Sequence, residues 1–342
     1  MNVPCVRVPP ANGEATRQEL TDGDFIADGY EIIVEDGWLY IPVTDPDVVS
    51  EAFEDLEIVS YDLPERETQT TPADLLGFDP SYERIGDVAL LDEGDDSVGA
   101  DEDNRDEDER QPAEIARAIV DSDLPVETVL NKASKIKGET RTRDWEVIEG
   151  DGTETVHREY GAAFELDLAE VYFSPRLATE RNRVAEQVVS GENAFDMFAG
   201  VGPFVVPFAK RGATCVGVDI NETAINYLRE NARRNGVEDR VTAICDDVRS
   251  VAPEYEGWAD RVVMNLPHSA NEFLGPAVQI AGEECVLHYY DIQHEDDPFD
   301  PGERAIRDAA EPQYNVTVET SRVVRSYAPH ELNVCLDVRL EG

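Results

Sequence analysis

Four short clusters between Phe195 and Leu274 carry side chains able to do chemistry. In Asp196-Met197-Phe198-Ala199-Gly200-Val201-Gly202, the glycines let the backbone turn tightly and approach a ligand closely before a helix begins. Alone this G-x-G is weak, because dinucleotide enzymes share it and Pro203-Phe204-Val205 supplies no third glycine at the Rossmann spacing. Val218-Asp219-Ile220-Asn221 ends the next strand with an acidic residue at the distance where a carboxylate holds ribose hydroxyls. A lone acid there usually caps a helix, but Asn221 or Thr223 can take that duty, which favours ribose for Asp219. In Cys245-Asp246-Asp247-Val248, Asp247 and Val248 are the preferred contacts to an adenine amino group, and Asp246 reads as solvated. Asn265-Leu266-Pro267-His268 is more specific. An Asn carbonyl and a backbone carbonyl accept hydrogen bonds from a target's N–H groups and aim a nitrogen lone pair at an electrophile. A buried N–H left unpaired costs about 1–3 kcal/mol, so such a turn selects nitrogen.

Each cluster falls where a strand of an alternating β/α sheet should end, and such sheets bind ligands beyond the carboxyl ends of their strands. The positioning elements are strands over 194–198, 214–218, 241–245 and 260–265, with helices over 177–189, 203–210 and 222–235, the last closed by Gly236. Further strands are expected over 285–290, 315–324 and 332–338. Together they make a domain over 174–342. Ahead of it, residues 1–61 read as a small α+β module in which Asp36-Gly37 turns a hairpin, and 62–74 as a linker. Residues 75–173 read as a second α+β module, with strands over 85–91, 128–130, 145–148, 155–158 and 163–168 and a helix over 112–120. Its stretch 92–111, almost all acidic or small, is expected to be a solvated, disordered insertion.

The 342 residues carry a formal charge of −46, spread over the whole chain. That resembles haloarchaeal proteins, whose surroundings hold molar salt. There the Debye length falls to about 3 Å, and surface carboxylates repel one another little. Long-range attraction to phosphate is weak under the same conditions, so the charge does not exclude nucleic acid. The five cysteines are scattered without metal-site spacing, so neither a disulfide framework nor a metal site is expected. No apolar run is long enough to span a bilayer, and no secretory signal is visible, so a reducing cytoplasm is expected.

Taken together, the clusters resemble the motif series of S-adenosylmethionine (SAM) methyltransferases that act on nitrogen. Closer signatures lie upstream, in Val171-Tyr172-Phe173-Ser174-Pro175-Arg176-Leu177-Ala178-Thr179-Glu180-Arg181 and in Asn131-Lys132-Ala133-Ser134-Lys135-Ile136-Lys137-Gly138-Glu139 followed by Arg141-Thr142-Arg143. With 265–274 they resemble the archaeal and eukaryotic tRNA (guanine-37-N1)-methyltransferases. Thr140 departs from the aromatic expected there. The resemblance is strongest from Thr128 onward and implies an α/β fold, a class I (Rossmann-like) SAM-dependent methyltransferase domain with two smaller N-terminal α+β modules.

The resemblance also implies roles. Glu180 would act as general base on guanine N1, Arg141 rather than Arg143 would stabilise charge on O6, and Asn265 would orient the base with Tyr172 packed beside it. SAM would be held by Phe198, Gly200, Gly202, Asp219, Ile220, Asp247, Val248, Asn265 and Pro267, with Arg181 near its methionine carboxylate. Residues 1–61 would touch the tRNA elbow, and the protein is expected to be a monomer. Two readings compete: a wybutosine-pathway enzyme moving the aminocarboxypropyl group of SAM, and a non-catalytic RNA-binding module keeping the fold. Protein and DNA amino-methyltransferases use an Asn-Pro-Pro-aromatic turn, from which Leu266 and His268 depart.

Overall fold

The computed structural model describes residues 2–53, 55–66, 69–91, 112–134, 138, 140–311 and 313–342. The expected acidic insertion 92–111 lies outside the described residues, as do 135–137 and 139 of the upstream signature. The chain forms two compact units, Met1–Thr71 and Pro72–Gly342.

In the first unit, β1 (Asn2–Val8), β2 (Ile33–Glu35), β3 (Trp38–Pro42) and β4 (Glu57–Asp62) form an antiparallel sheet in the order β2-β3-β1-β4. The hairpin expected at Asp36-Gly37 joins β2 to β3. Helices α1 (Gly13–Asp22) and α2 (Pro46–Ala52) cover one face, where Val6, Val8, Leu20, Ile41, Val43 and Val49 are buried together. Asp45 caps α2 by accepting from the amides of Asp47 and Val48. The expected linker differs from the structure in its first half. Glu31 N–H donates to Pro64 and Arg66 N–H to Gly29, which ties residues 62–66 into this unit.

The second unit contains both segments expected as modules, 75–173 and 174–342. It begins with α3 (Pro72–Leu76) and a four-stranded sheet in the order β5-β6-β7-β8: β5 (Tyr82–Ile85), β6 (Val88–Leu91), β7 (Thr128–Lys132) and β8 (Trp145–Glu149), with α4 (Pro112–Asp121) packed on it. The single strand expected over 85–91 is a hairpin instead. Gly86 turns it at φ +62°, and a Cβ there would meet the carbonyl of Val156 at 2.8 Å. The antiparallel pair β9 (Glu154–Glu159) and β10 (Ala162–Asp167) then leads into α5 (Ala178–Glu186).

The remaining elements are β11 (Asn193–Asp196), α6 (Val205–Lys210), β12 (Thr214–Asp219), α7 (Glu222–Arg234), β13 (Val241–Cys245), α8 (Val248–Val251), β14 (Ala259–Met264), α9 (Leu274–Ile280), β15 (Ala281–His294), α10 (Asp300–Ala310), β16 (Asn315–Ala328) and β17 (Glu331–Glu341). The strands form one sheet in the order β13-β12-β11-β14-β15-β17-β16, parallel except for β17, which is antiparallel to both neighbours. Strand order reverses at β11, which opens a crevice above it. Strands β15 and β16 run several residues beyond their expected ends because β17 pairs with both along nearly its whole length.

A shared core joins the two segments. Phe164 and Leu166 of β10 pack with Val184, Phe204 and Leu228 in a continuous buried cluster. Asn231 of α7 and Asn235 at its C-cap also bond the backbone of β10 through the amides and carbonyls of Glu165 and Ala163. Among the described residues no helix is long and apolar enough to cross a membrane.

Candidate active site

A cavity of about 610 Å³ opens at the carboxyl ends of the parallel strands, entirely within the second unit. Of the residues singled out from sequence, Arg141, Tyr172, Arg181, Phe198, Gly200, Asp219, Ile220, Asp247, Val248 and Asn265 line it. Glu180, Gly202 and Pro267 do not line it.

The half above β11 and β12 has the donors and acceptors of a nucleoside site. Asp219 accepts from the amide of Gly200 at 2.8 Å and from that of Asn221 at 2.9 Å. Asn221, not Asp219, caps α7, through the amides of Thr223 and Ala224. Burial pushes the Asp219 carboxyl up, and these backbone N–H groups oppose that. Gly202 has no substitute, because it sits at φ +93° with Leu228 where a Cβ would go. The turn it allows lets the backbone of Gly200 face the cavity. Phe198 packs edge-on against Phe273 at 5.0 Å, and Ile220 is exposed toward the space.

The next wall brings Asp246, Asp247 and Val248 together. Asp247 caps α8 and is clasped by Arg249, whose guanidinium lies over Phe273. Asp246 lines the cavity beside it, with one oxygen accepting from the amide of Asp247 at 2.7 Å. Asp246 therefore stands as an equal candidate for an amino group. Asp196, which sequence reading passed over, is buried below the turn. One of its oxygens accepts from Phe198 N–H at 3.1 Å and the other has no partner among the described residues. Burial pushes its pKa up to about 7. An acid closing an apolar strand directly before the glycine turn was the available signal. An adenosyl group with an attached amino acid fits this set of groups: an acceptor for ribose hydroxyls, acceptors for amino groups and an aromatic wall.

The other half is walled by different groups. Asn265 follows β14, and the carbonyl of Pro267 accepts from Ile292 N–H at 3.2 Å, which fixes the turn to β15. Arg141 holds a left-handed backbone at φ +56° and lies over the Tyr172 ring at 4.9 Å. A non-glycine residue in that region costs on the order of 1–3 kcal/mol and clusters at functional sites. Arg143 lies over Trp145 instead and does not line the cavity. His268 bonds Tyr327 through Nε2 at 2.9 Å, and burial with the Arg141 charge pushes its imidazole pKa down.

Glu180 lies on α5 with only 4 % exposure. Its oxygens accept from Arg183 at 2.7 and 2.9 Å and from Tyr290 at 3.0 Å, and Arg322 stands at 3.4 Å. Arg183 also donates to Asp337 at 2.5 and 3.1 Å. Asp337 pairs with Nδ1 of His288 at 2.7 Å, and Arg261 meets Nε2 at 2.6 Å while holding Glu192. An arginine can only donate, so Nε2 accepts and Nδ1 carries the hydrogen given to Asp337. Burial works to raise the Asp337 carboxyl, but its bonds from His288 and Arg183 outweigh that and hold it far below the usual carboxylate range. Burial pushes His288 down, leaving it neutral. His288, Cys335 and Asp337 offer atoms within 4.8 Å of one another, but the guanidiniums of Arg261 and Arg183 already occupy that donor set. Sequence gave no sign of this chain, because its members are scattered over α5, β14, β15 and β17.

Arg181 is spent largely on structure. It donates to both oxygens of Glu159 at 2.7 and 2.6 Å and to the carbonyl of Ser174 at 3.0 Å. Three of its five N–H groups are used in this way. Arg181 also forms part of the cavity lining.

Comparison with known proteins gives the family. Residues 155–319 match the TRM5/TYW2 methyltransferase domain, residues 5–51 the tRNA methyltransferase 5 N-terminal domain and residues 57–153 the TYW2 N-terminal domain. The chain is 41% identical to the tRNA (guanine(37)-N(1))-methyltransferase Trm5b of Pyrococcus abyssi, over 98% of each chain. It is 34% identical to the tRNA(Phe) (4-demethylwyosine(37)-C(7)) aminocarboxypropyltransferase of Pyrococcus horikoshii, over 83% of this chain and 95% of that one. Among solved structures, the complex of aTrm5 and tRNALeu superposes with a TM-score of 0.68 at 30% identity, covering 98% of this chain and 99% of that one. The chain belongs to the TRM5/TYW2 methyltransferase family.

Proposed function

We propose that this protein transfers the methyl group of SAM to N1 of guanosine 37 in tRNA. The carrying observation is the 41% identity, over 98% of both chains, with an N1-methyltransferase. The aminocarboxypropyl alternative is less well supported. That relative is matched over 95% of its own length yet spans only 83% of this chain, and residues 5–51 match an N-terminal domain named for the methyltransferase.

When bound, SAM supplies an electrophilic methyl group beside the target nitrogen. Asp219 holds the ribose hydroxyls, and Asp246 or Asp247 accepts from the adenine amino group. Asn265 accepts from the guanine edge and orients N1. Arg141, supported by Tyr172, faces O6 and stabilises the negative charge that develops there when N1 loses its proton. Glu180 takes that proton. Arg183 and Tyr290 together fill Oε1, whereas Oε2 takes one bond from Arg183 and has Arg322 at 3.4 Å, so Arg322 is the group that gives way for the proton. Guanosine 37 must leave its stack to reach the cavity, and residues 1–61 contact the tRNA elbow. The protein works as a monomer in the salt-rich cytoplasm that its acidic surface suits.

The test is incubation of the purified protein with SAM and a tRNA transcript bearing guanosine 37, in molar KCl, followed by mass spectrometry of the nucleosides. The expected product is 1-methylguanosine. Its absence, or an aminocarboxypropyl product, overturns the assignment.

A further inference from the structure

One aromatic residue of the cavity wall, Tyr327, lies outside the family motifs. Strand β16 pairs with β17 through Ser326 opposite Leu332 and then Ala328 opposite Glu331. Tyr327 is therefore an extra residue in a β-bulge. A bulge takes a residue out of the ladder and re-aims its side chain, and bulges recur beside active sites. Here the bulged side chain lines the cavity while remaining 40% exposed.

Tyr327 is also held in place. Its hydroxyl meets Nε2 of His268 at 2.9 Å, and the two rings are edge-to-face at 5.1 Å. His268 in turn feels the charge of Arg141, and Arg141 lies over Tyr172, itself 36% exposed on the same cavity. Tyr172, Arg141, His268 and Tyr327 thus line the same cavity as two packed pairs of flat side chains drawn from four distant segments. The cofactor half has its own aromatic wall in Phe198 and Phe273. Half-exposed aromatic faces beside a guanidinium plane are the surface on which unstacked nucleobases rest.

We propose that Tyr327 is a stacking residue of the target subsite: its ring packs against the purine extruded into the cavity, and His268 fixes the plane of that ring. This deepens the proposed function and rests on it. A stacked base removed by alanine substitution loses roughly tenfold, about 1.4 kcal/mol.

The experiment is single-turnover methylation at saturating SAM, with tRNA carrying guanosine 37, alongside calorimetric titration of SAM. The parent protein first establishes the reaction; if it forms no 1-methylguanosine, the proposed function itself fails. Given an active parent, Tyr327→Ala is expected to lose roughly tenfold in rate while binding SAM within about twofold of the parent. Tyr327→Phe keeps the ring but loses the bond to His268, and should lose only about threefold. A rate for Tyr327→Ala within twofold of the parent overturns the stacking role. So does a parallel loss of SAM affinity, which would make the wall structural, and so does a Phe variant as slow as the Ala variant.

Discussion

Replacing Asp337 with Asn tests whether the buried polar chain behind Glu180 holds the sheet to α5. Asp337 is 2% exposed and takes bonds from Arg183, His288 and Gln187. An Asn there presents an amide N–H to at least one group that can only donate, and leaves Arg183 with Glu180 as its sole carboxylate. Breaking one member of a buried pair costs about 3–5 kcal/mol, because the partner charge stays buried without compensation. The exposed pair Arg233–Glu230, with side chains 61% and 45% accessible, is the control, and Glu230→Gln should cost no more than about 1 kcal/mol. At about 2–4 °C per kcal/mol for a body of this size, Asp337→Asn should lower the melting temperature by roughly 6–20 °C. The sign with pH follows from the depressed carboxyl. The folded state holds Asp337 ionised where the unfolded chain has taken up a proton. Its contribution is therefore complete above about pH 4 and is lost as the pH falls below that value. Differential scanning calorimetry between pH 3 and 8, at constant KCl, reads both effects. A loss under about 1 kcal/mol at pH 7, matching the control, would refute the reasoning, as would an equal loss at every pH.

Three further outcomes are expected. Glu180→Gln should reduce the single-turnover rate by about 10²–10⁴-fold with SAM affinity retained; a drop under tenfold would remove Glu180 as the base. Asp219→Ala should weaken SAM binding by about 10–150-fold by calorimetry, the worth of a charged hydrogen bond, and unchanged affinity would place the ribose elsewhere. Asp196 is protonated in the folded state up to about pH 7, whereas the unfolded chain ionises near 3.8. The parent therefore loses stability as the pH rises through that window, by at most about 4 kcal/mol at 1.36 kcal/mol per pH unit. The advantage of Asp196→Asn over the parent should grow between pH 5 and 8, and a flat difference would sink the idea.

The sequence by itself determined the strand-end motifs, and with them the sheet, the cofactor class and the target atom. Glycine turns, an acid closing β12 and the Asn265 turn are local signals: each depends on a few neighbouring residues and on backbone sterics that no distant contact changes. Short-range signals also placed most strands of the second unit within a few residues. They failed where pairing partners decide. Gly86 turns a hairpin because the chain at Thr155 and Val156 packs against it, and β15 and β16 are long because β17 pairs with both. The candidate site divides in the same way. Arg141 and Arg143 are indistinguishable by type and spacing, and only tertiary structure sends one over Tyr172 toward the cavity and the other over Trp145. Likewise, nothing in the helical pattern of α5 shows that Glu180 is enclosed by Arg183 and Tyr290 while Arg181 beside it is held by Glu159. Burial and partner choice are properties of the assembled core, made by residues far apart in the chain. Sequence therefore named the reaction, and the packing of α5 against β15 and β17 decided how its charged groups are held.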